Sequence, residues 1–141
     1  MTPMMLEKLC YYAQAWTLAW RDVPLFDEDF QACEVGVVCF DLFNALPSDV
    51  IFFDGVLGEY DANVLTEQQT EDIDVVLEKY ADKMPSDVTW MIRCERPWRT
   101  ARENYSEEDN KFPLISKFDM HEYHAGLLLP KEKRDLNIYE S

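Results

Sequence analysis

Thr2-Pro3-Met4-Met5-Leu6-Glu7-Lys8-Leu9-Cys10-Tyr11-Tyr12-Ala13-Gln14-Ala15-Trp16-Thr17-Leu18-Ala19-Trp20-Arg21 decides how the rest of the chain is read. Thr2 supplies a hydroxyl for the first free amide donors of a helix, and Pro3 suits the first helical position, where no donor is needed. Met5, Leu9, Tyr12, Ala13, Trp16 and Trp20 then recur three and four residues apart, the period of a helix with a buried face. The helix is expected to stop near Trp20 or Arg21, because Asp22-Val23-Pro24 removes a donor and restricts the residue before the proline.

Working outward, Asp27 or Glu28 is expected to open a short helix through Phe30 and Cys33, stopped by Gly36. Val38 to Leu46 reads as another helix with Val38, Leu42 and Ala45 inward, closed by the Pro47-Ser48-Asp49 turn. Residues 50–57, Val-Ile-Phe-Phe-Asp-Gly-Val-Leu, are β-branched and aromatic with an Asp-Gly step, so a small β-hairpin is expected there. Thr66-Glu67-Gln68-Gln69 is a capping box, opening a helix with Ile73, Val76, Leu77, Tyr80 and Met84 inward. Its other face carries Glu71, Asp72, Asp74, Glu78, Asp82 and Lys83. Pro85 ends it, and Ser86 is expected to cap a short helix through Trp90 and Ile92. Pro97 suits N1 of a helix holding Trp98, Ala101 and Arg102. Ser106 to Lys111 reads as a charged loop. Ser116 to Gly126 reads as a last helix, with Phe118, Met120 or His121, and Tyr123 as burial candidates. Pro130 to Ser141 is a charged tail.

The expected architecture is mostly α: a compact single-domain bundle of about six or seven short helices over residues 1–129, with the hairpin near residues 50–57 and the tail at 130–141. Composition agrees with a folded chain: 48% of its 141 residues are hydrophobic and 13% aromatic, enough for a core. No run of apolar residues is long enough to span a bilayer, and the first residues lack the pattern of a secretion signal, so a cytoplasmic location is expected. The formal net charge of −15 opposes direct binding to nucleic acid or anionic lipid and favours a basic protein partner. Against this background Arg93, Arg96, Arg99 and Arg102 form a basic series with a spacing of three. It reads either as internal ion pairing or as a partner-contact site.

Few residues suggest chemistry. His121-x-x-His124 has no further metal-ligand motif around it. Cys10, Cys33, Cys39 and Cys94 show no C-x-x-C spacing and read as small buried hydrophobes. No phosphate-binding glycine pattern and no nucleophile motif is present in the sequence. Non-enzymatic action without cofactor or metal is therefore expected.

Several strings resemble the Panacea domain, found in antitoxins of bacterial and phage toxin–antitoxin systems. Thr2-Pro3-x-x-Leu6-x-Lys8-Leu9-x-Tyr11-Tyr12-Ala13-Gln14-Ala15-Trp16 is similar to that family's opening helix. Pro24-Leu25-Phe26-x-Glu28-x-Phe30-x-Ala32 resembles its next segment. Leu65-Thr66 with Val75-Val76-Leu77-Glu78-Lys79-Tyr80 resembles its middle helix, and Glu95-x-Pro97-Trp98-x-x-Ala101-Arg102 its late motif. The chain departs from the family at Cys33, Gly36-Val37-Val38, Leu42-Phe43 and Arg93-Cys94. The resemblance implies a non-enzymatic protein that binds and neutralises a cognate toxin, within a bacterium, plasmid or phage. Partner contacts are then expected where the matched segments lie nearest the departures, at Tyr12, Trp16, Phe43, Arg93, Trp98 and Arg102. A second expectation starts from charge. A phage or mobile-element inhibitor of a nucleic-acid-handling defence complex, of the anti-CRISPR type, would use Glu71, Asp74, Glu78 and Asp82 to occupy a basic groove.

Overall fold

The computed structural model describes residues 2–41, 66–103, 105 and 111–128. Among them are five α-helices and one two-stranded antiparallel hairpin, in the order α1 (Pro3–Arg21), β1 (Gln31–Cys33), β2 (Gly36–Val38), α2 (Glu67–Tyr80), α3 (Pro85–Cys94), α4 (Arg96–Glu103) and α5 (Lys117–Leu127). The hairpin expected near residues 50–57, most of the helix expected over 38–46, nearly all of the 106–111 loop and the tail lie outside the described residues.

α1 is the axis of the fold, packed against α5, α2, β2 and α3. Its start is as the sequence implies: the Thr2 hydroxyl accepts from the Met5 amide at 3.2 Å. At the other end Asp22 takes a left-handed conformation (φ 62°) and donates its N–H to the Leu18 carbonyl, which terminates the helix before Pro24. The helix is buried on nearly every side, including Glu7, Lys8, Gln14 and Thr17. A helix enclosed in this way needs partners for its polar side chains. Gln14 finds them in the following loop: its Oε1 accepts from Leu25 and Phe26 N–H, and its Nε2 donates to the Phe26 carbonyl at 2.7 Å. Glu7 Oε2 accepts from the Cys39 amide at 2.5 Å.

α2 opens with the expected capping box, Thr66 and Gln69 bonding reciprocally. The row facing α1 is Asp72, Val76 and Tyr80, with Ile73 half-buried beside it. Leu77 and Met84, expected inward, are exposed. Asp72, expected on the solvent face, is buried instead because Arg21 reaches it with two hydrogen bonds of 3.0 and 3.2 Å. This ion pair clasps the end of α1 to α2. Trp16 Nε1 adds a second tie by donating to the Tyr80 hydroxyl at 2.9 Å.

The hairpin corrects the expected helix through Phe30 and Cys33 and the expected start of a helix at Val38. Ala32 and Ile115 hydrogen bond to Pro113 and Phe30 across the outer edge of β1, so distant residues supply the partners that extended backbone needs. Glu34 and Val35 turn the chain with φ negative, and Gly36 takes the positive value (φ 109°) that brings the strands back into pairing. Gly36 pairs with Cys33 at the end of the turn and is not a helix stop.

Pro85 begins α3 as well as ending the chain segment before it. The residue preceding α3 is Met84, so Ser86 is not its cap. Val88 and Ile92 are fully buried against the hairpin, and the Thr89 hydroxyl donates to the Val35 carbonyl at 3.1 Å. Ser116 caps α5. Met120 is buried there as expected, Phe118 is exposed, and His124 rather than His121 is the enclosed histidine.

Candidate functional site

α3 and α4 meet at Glu95, which is 9% exposed. Glu95 Oε2 accepts a 2.9 Å hydrogen bond from the Tyr12 hydroxyl of α1, while Oε1 is buried without a partner. Burial pushes this carboxyl up to about 7, against the lowering effect of the Tyr12 bond. The Tyr12 ring stacks on Tyr80 with centroids 4.1 Å apart. His124 meets both Tyr12 and Trp16 edge-on, at 6.0 and 5.0 Å. Its Nδ1 faces the Met120 carbonyl at 2.9 Å, and burial lowers its pKa to about 4, so the ring is neutral. These groups form an aromatic and polar junction that joins α1, α2, α3 and α5.

On the outside of the same corner, α4 grips the hairpin. Trp98 Nε1 donates to the Cys33 carbonyl at 3.1 Å, and Arg102 donates to the Ala32 carbonyl at 3.3 Å. Arg93 reaches the Glu34 carbonyl from α3 and lies over the Trp98 ring. Arg102 lies over Trp98 and Tyr105. Of the two readings of the arginine series, ion pairing is not what the described residues display: these side chains use carbonyls and aromatic faces. Arg96 and Arg99 are exposed. So is Trp90, at 67%, one helical turn before Arg93 on α3. Trp90 and Arg93 thus share a side of α3, and Arg96 and Arg99 a side of α4, four exposed basic or aromatic residues in a chain of strongly negative net charge.

The sequence-derived contact residues that are described fall into three groups. Tyr12 and Trp16 lie in the core and offer a partner no surface, because α1 is enclosed. Arg93, Trp98 and Arg102 come together on the hairpin, with Arg93 exposed and the other two half-buried. Glu71, Asp74, Glu78 and Asp82 are all exposed on or just beyond the outer face of α2. Phe43 lies outside the described residues. The size of Trp90 suggests burial. Its spacing argues otherwise: it is two residues from both Val88 and Ile92, which places it on the opposite side of the helix. Glu95 opens the late resembling string, but nothing in its own charged stretch, between Cys94 and Arg96-Pro97, signals its burial.

The histidine spacing does not gather ligands. His121 Nε2 faces Asp22 Oδ1 at 2.6 Å near the surface while His124 points into the core. Cys33 and Cys39 are buried as expected, whereas Cys10 is half-buried and Cys94 exposed. A second surface feature is an open groove of about 450 Å³, rimmed by Asp27, Glu28, Asp29 and Asp41 with Phe40 and Leu114 at its walls. No helix among the described residues is long and apolar enough to cross a membrane. Comparison with protein-family models, with curated proteins and with solved structures returns no match.

Proposed function

We propose that this chain is a non-enzymatic inhibitory binding protein of the Panacea-antitoxin kind, which neutralises a protein partner by direct stoichiometric contact. The observation that carries this reading is how the resembling strings meet. The opening and late strings touch at the Tyr12–Glu95 hydrogen bond, 83 residues apart. The second string meets the late one where Arg102 holds the Ala32 carbonyl. Residues that bind one another across such distances behave as one scaffold, and their side chains are spent on the interior. Contact with a partner is then assigned to exposed residues outside these contacts, foremost Trp90 and Arg93. Tryptophan and arginine are the side chains that most often dominate binding energy at protein interfaces.

The test is co-expression with the product of the neighbouring gene. Loss of that product's toxicity, with both chains recovered as one complex, supports the proposal. Persistent toxicity with no complex overturns it.

A second reading is favoured by the exposed acids of α2. Glu71, Asp74, Glu78 and Asp82 make no ion pair among the described residues, and they could fill a basic groove built for phosphates. Reversing all four charges separates the readings. It abolishes inhibition of a nucleic-acid-handling complex and spares a contact centred on Trp90. Binding of this second type also competes with DNA or RNA and weakens steeply with salt.

A further inference from the structure

Glu95 is a carboxyl group in an environment that offers a negative charge very little. The groups facing it are hydroxyls: Tyr11 and Tyr12 from α1, Tyr80 from α2 and Tyr123 from α5. Burial raises the pKa of every one of these phenols, so each is a neutral group at physiological pH. The thiol of Cys94 adds no cation from α3. The nearby cations are engaged elsewhere. Arg93 and Arg102 hold hairpin carbonyls and ring faces, and Lys79 lies 4.2 Å over the Trp16 ring. His124 is neutral. An ionised Glu95 would therefore be a buried anion with one hydrogen bond and one oxygen unpaired.

We propose that the Tyr12–Glu95 contact is a proton-loaded latch: the carboxyl at the α3–α4 corner is neutral in the tightly folded chain, and losing its proton loosens that corner together with the hairpin it holds. The corner has the connections for this. The Glu95 carbonyl accepts from the Arg99 amide at the start of α4, and α4 carries the Trp98 and Arg102 bonds to Cys33 and Ala32. Arg93 precedes Glu95 on α3, and Arg96 and Arg99 follow it on α4, all three exposed. A proton held inside the corner thus fixes the position of these arginines.

The latch predicts a specific pH dependence. Glu95 has a folded pKa of about 7 against an ordinary 4.5, so its contribution to stability is complete below about 4.5 and is lost as pH rises through about 7. His124 has the opposite sign. Its folded pKa of about 4 lies below the ordinary 6.5, so its contribution is complete above 6.5 and is lost as pH falls through about 4. Between about 4.5 and 6.5 the two slopes oppose each other, which hides the latch in the parent chain. Replacing Glu95 by glutamine uncovers the histidine slope.

The experiment is urea unfolding of the full chain and of Glu95→Gln, in steps from about pH 5 to pH 8. The ratio of the two unfolding constants is expected to change by up to about tenfold per pH unit between pH 5 and 7, in the direction that disfavours the parent at high pH. Equal pH dependence of the two chains overturns the proposal. A second measurement stands even if Glu95→Gln does not fold: the side-chain carboxyl carbon of Glu95 in the parent, followed by NMR. Titration near neutrality supports the latch, and titration near the ordinary carboxylate value overturns it. Both measurements use the isolated chain, so their outcome is independent of whether any partner is neutralised.

Discussion

Replacing Tyr12 by phenylalanine removes one oxygen from the centre of the fold and leaves its packing in place. The ring stays stacked on Tyr80, at 4.1 Å with the planes 4° apart, and edge-on to Tyr11 and His124. Only the 2.9 Å donation to Glu95 disappears, which leaves both carboxyl oxygens of Glu95 without a partner. Orphaning a buried acceptor costs about 1–3 kcal/mol, more when the acceptor is charged. Tyr12→Phe is therefore expected to destabilise the chain by about 1–3 kcal/mol in urea titrations, with a larger loss above neutral pH than near pH 5.5. Because the Tyr12 bond holds the Glu95 carboxyl down, removing it also moves the Glu95 titration to higher pH. Combining Tyr12→Phe with Glu95→Leu, which has no acceptor, closes a double-mutant cycle, and the coupling between the two sites reports on the bond. A stability equal to that of the parent at both pH values would refute the reasoning, as would a cycle with no coupling.

Two further substitutions probe the scaffold. Asp72→Asn weakens the Arg21 clasp between α1 and α2, whose aspartate side chain is only 7% exposed, and is expected to cost about 1–3 kcal/mol by chemical denaturation. Gly36→Ala tests the hairpin turn. A Cβ there meets nothing nearer than 3.8 Å, so the expected loss of about 1–2 kcal/mol comes from the positive φ alone. Unchanged stability in either variant contradicts the corresponding contact.

Much of the helical scaffold was legible because local chemistry and tertiary packing agree. Thr2-Pro3 and the three-four spacing after it place α1, and Thr66 to Gln69 place the start of α2. What could not be read locally depends on partners far along the chain. Phe30 to Val38 becomes a hairpin because residues 113–115 and α3 lie against it. Asp72 turns inward because Arg21 is there to meet it. The same limit applies to the candidate site. Arginines spaced by three suggest an exposed series, yet Arg93 and Arg102 are drawn onto carbonyls and the Trp98 ring. Tyr12 and Trp16 stand out as aromatic anchors, and the enclosure of α1 by its neighbours turns them into core residues. Residue type alone misplaces Trp90, whereas its position opposite Val88 and Ile92 gives its exposure correctly.

The central claim, that this molecule acts by occupying another macromolecule, is tested most directly by titrating the purified chain into the product of the neighbouring gene. Saturable stoichiometric binding is expected. Trp90→Ala should leave the unfolding midpoint of the chain nearly unchanged, since the side chain is 67% exposed. It should weaken binding by roughly 30-fold, the effect of removing an interface hot spot worth about 2 kcal/mol. No binding by the parent chain, with the toxicity of the neighbouring product undiminished, contradicts the account.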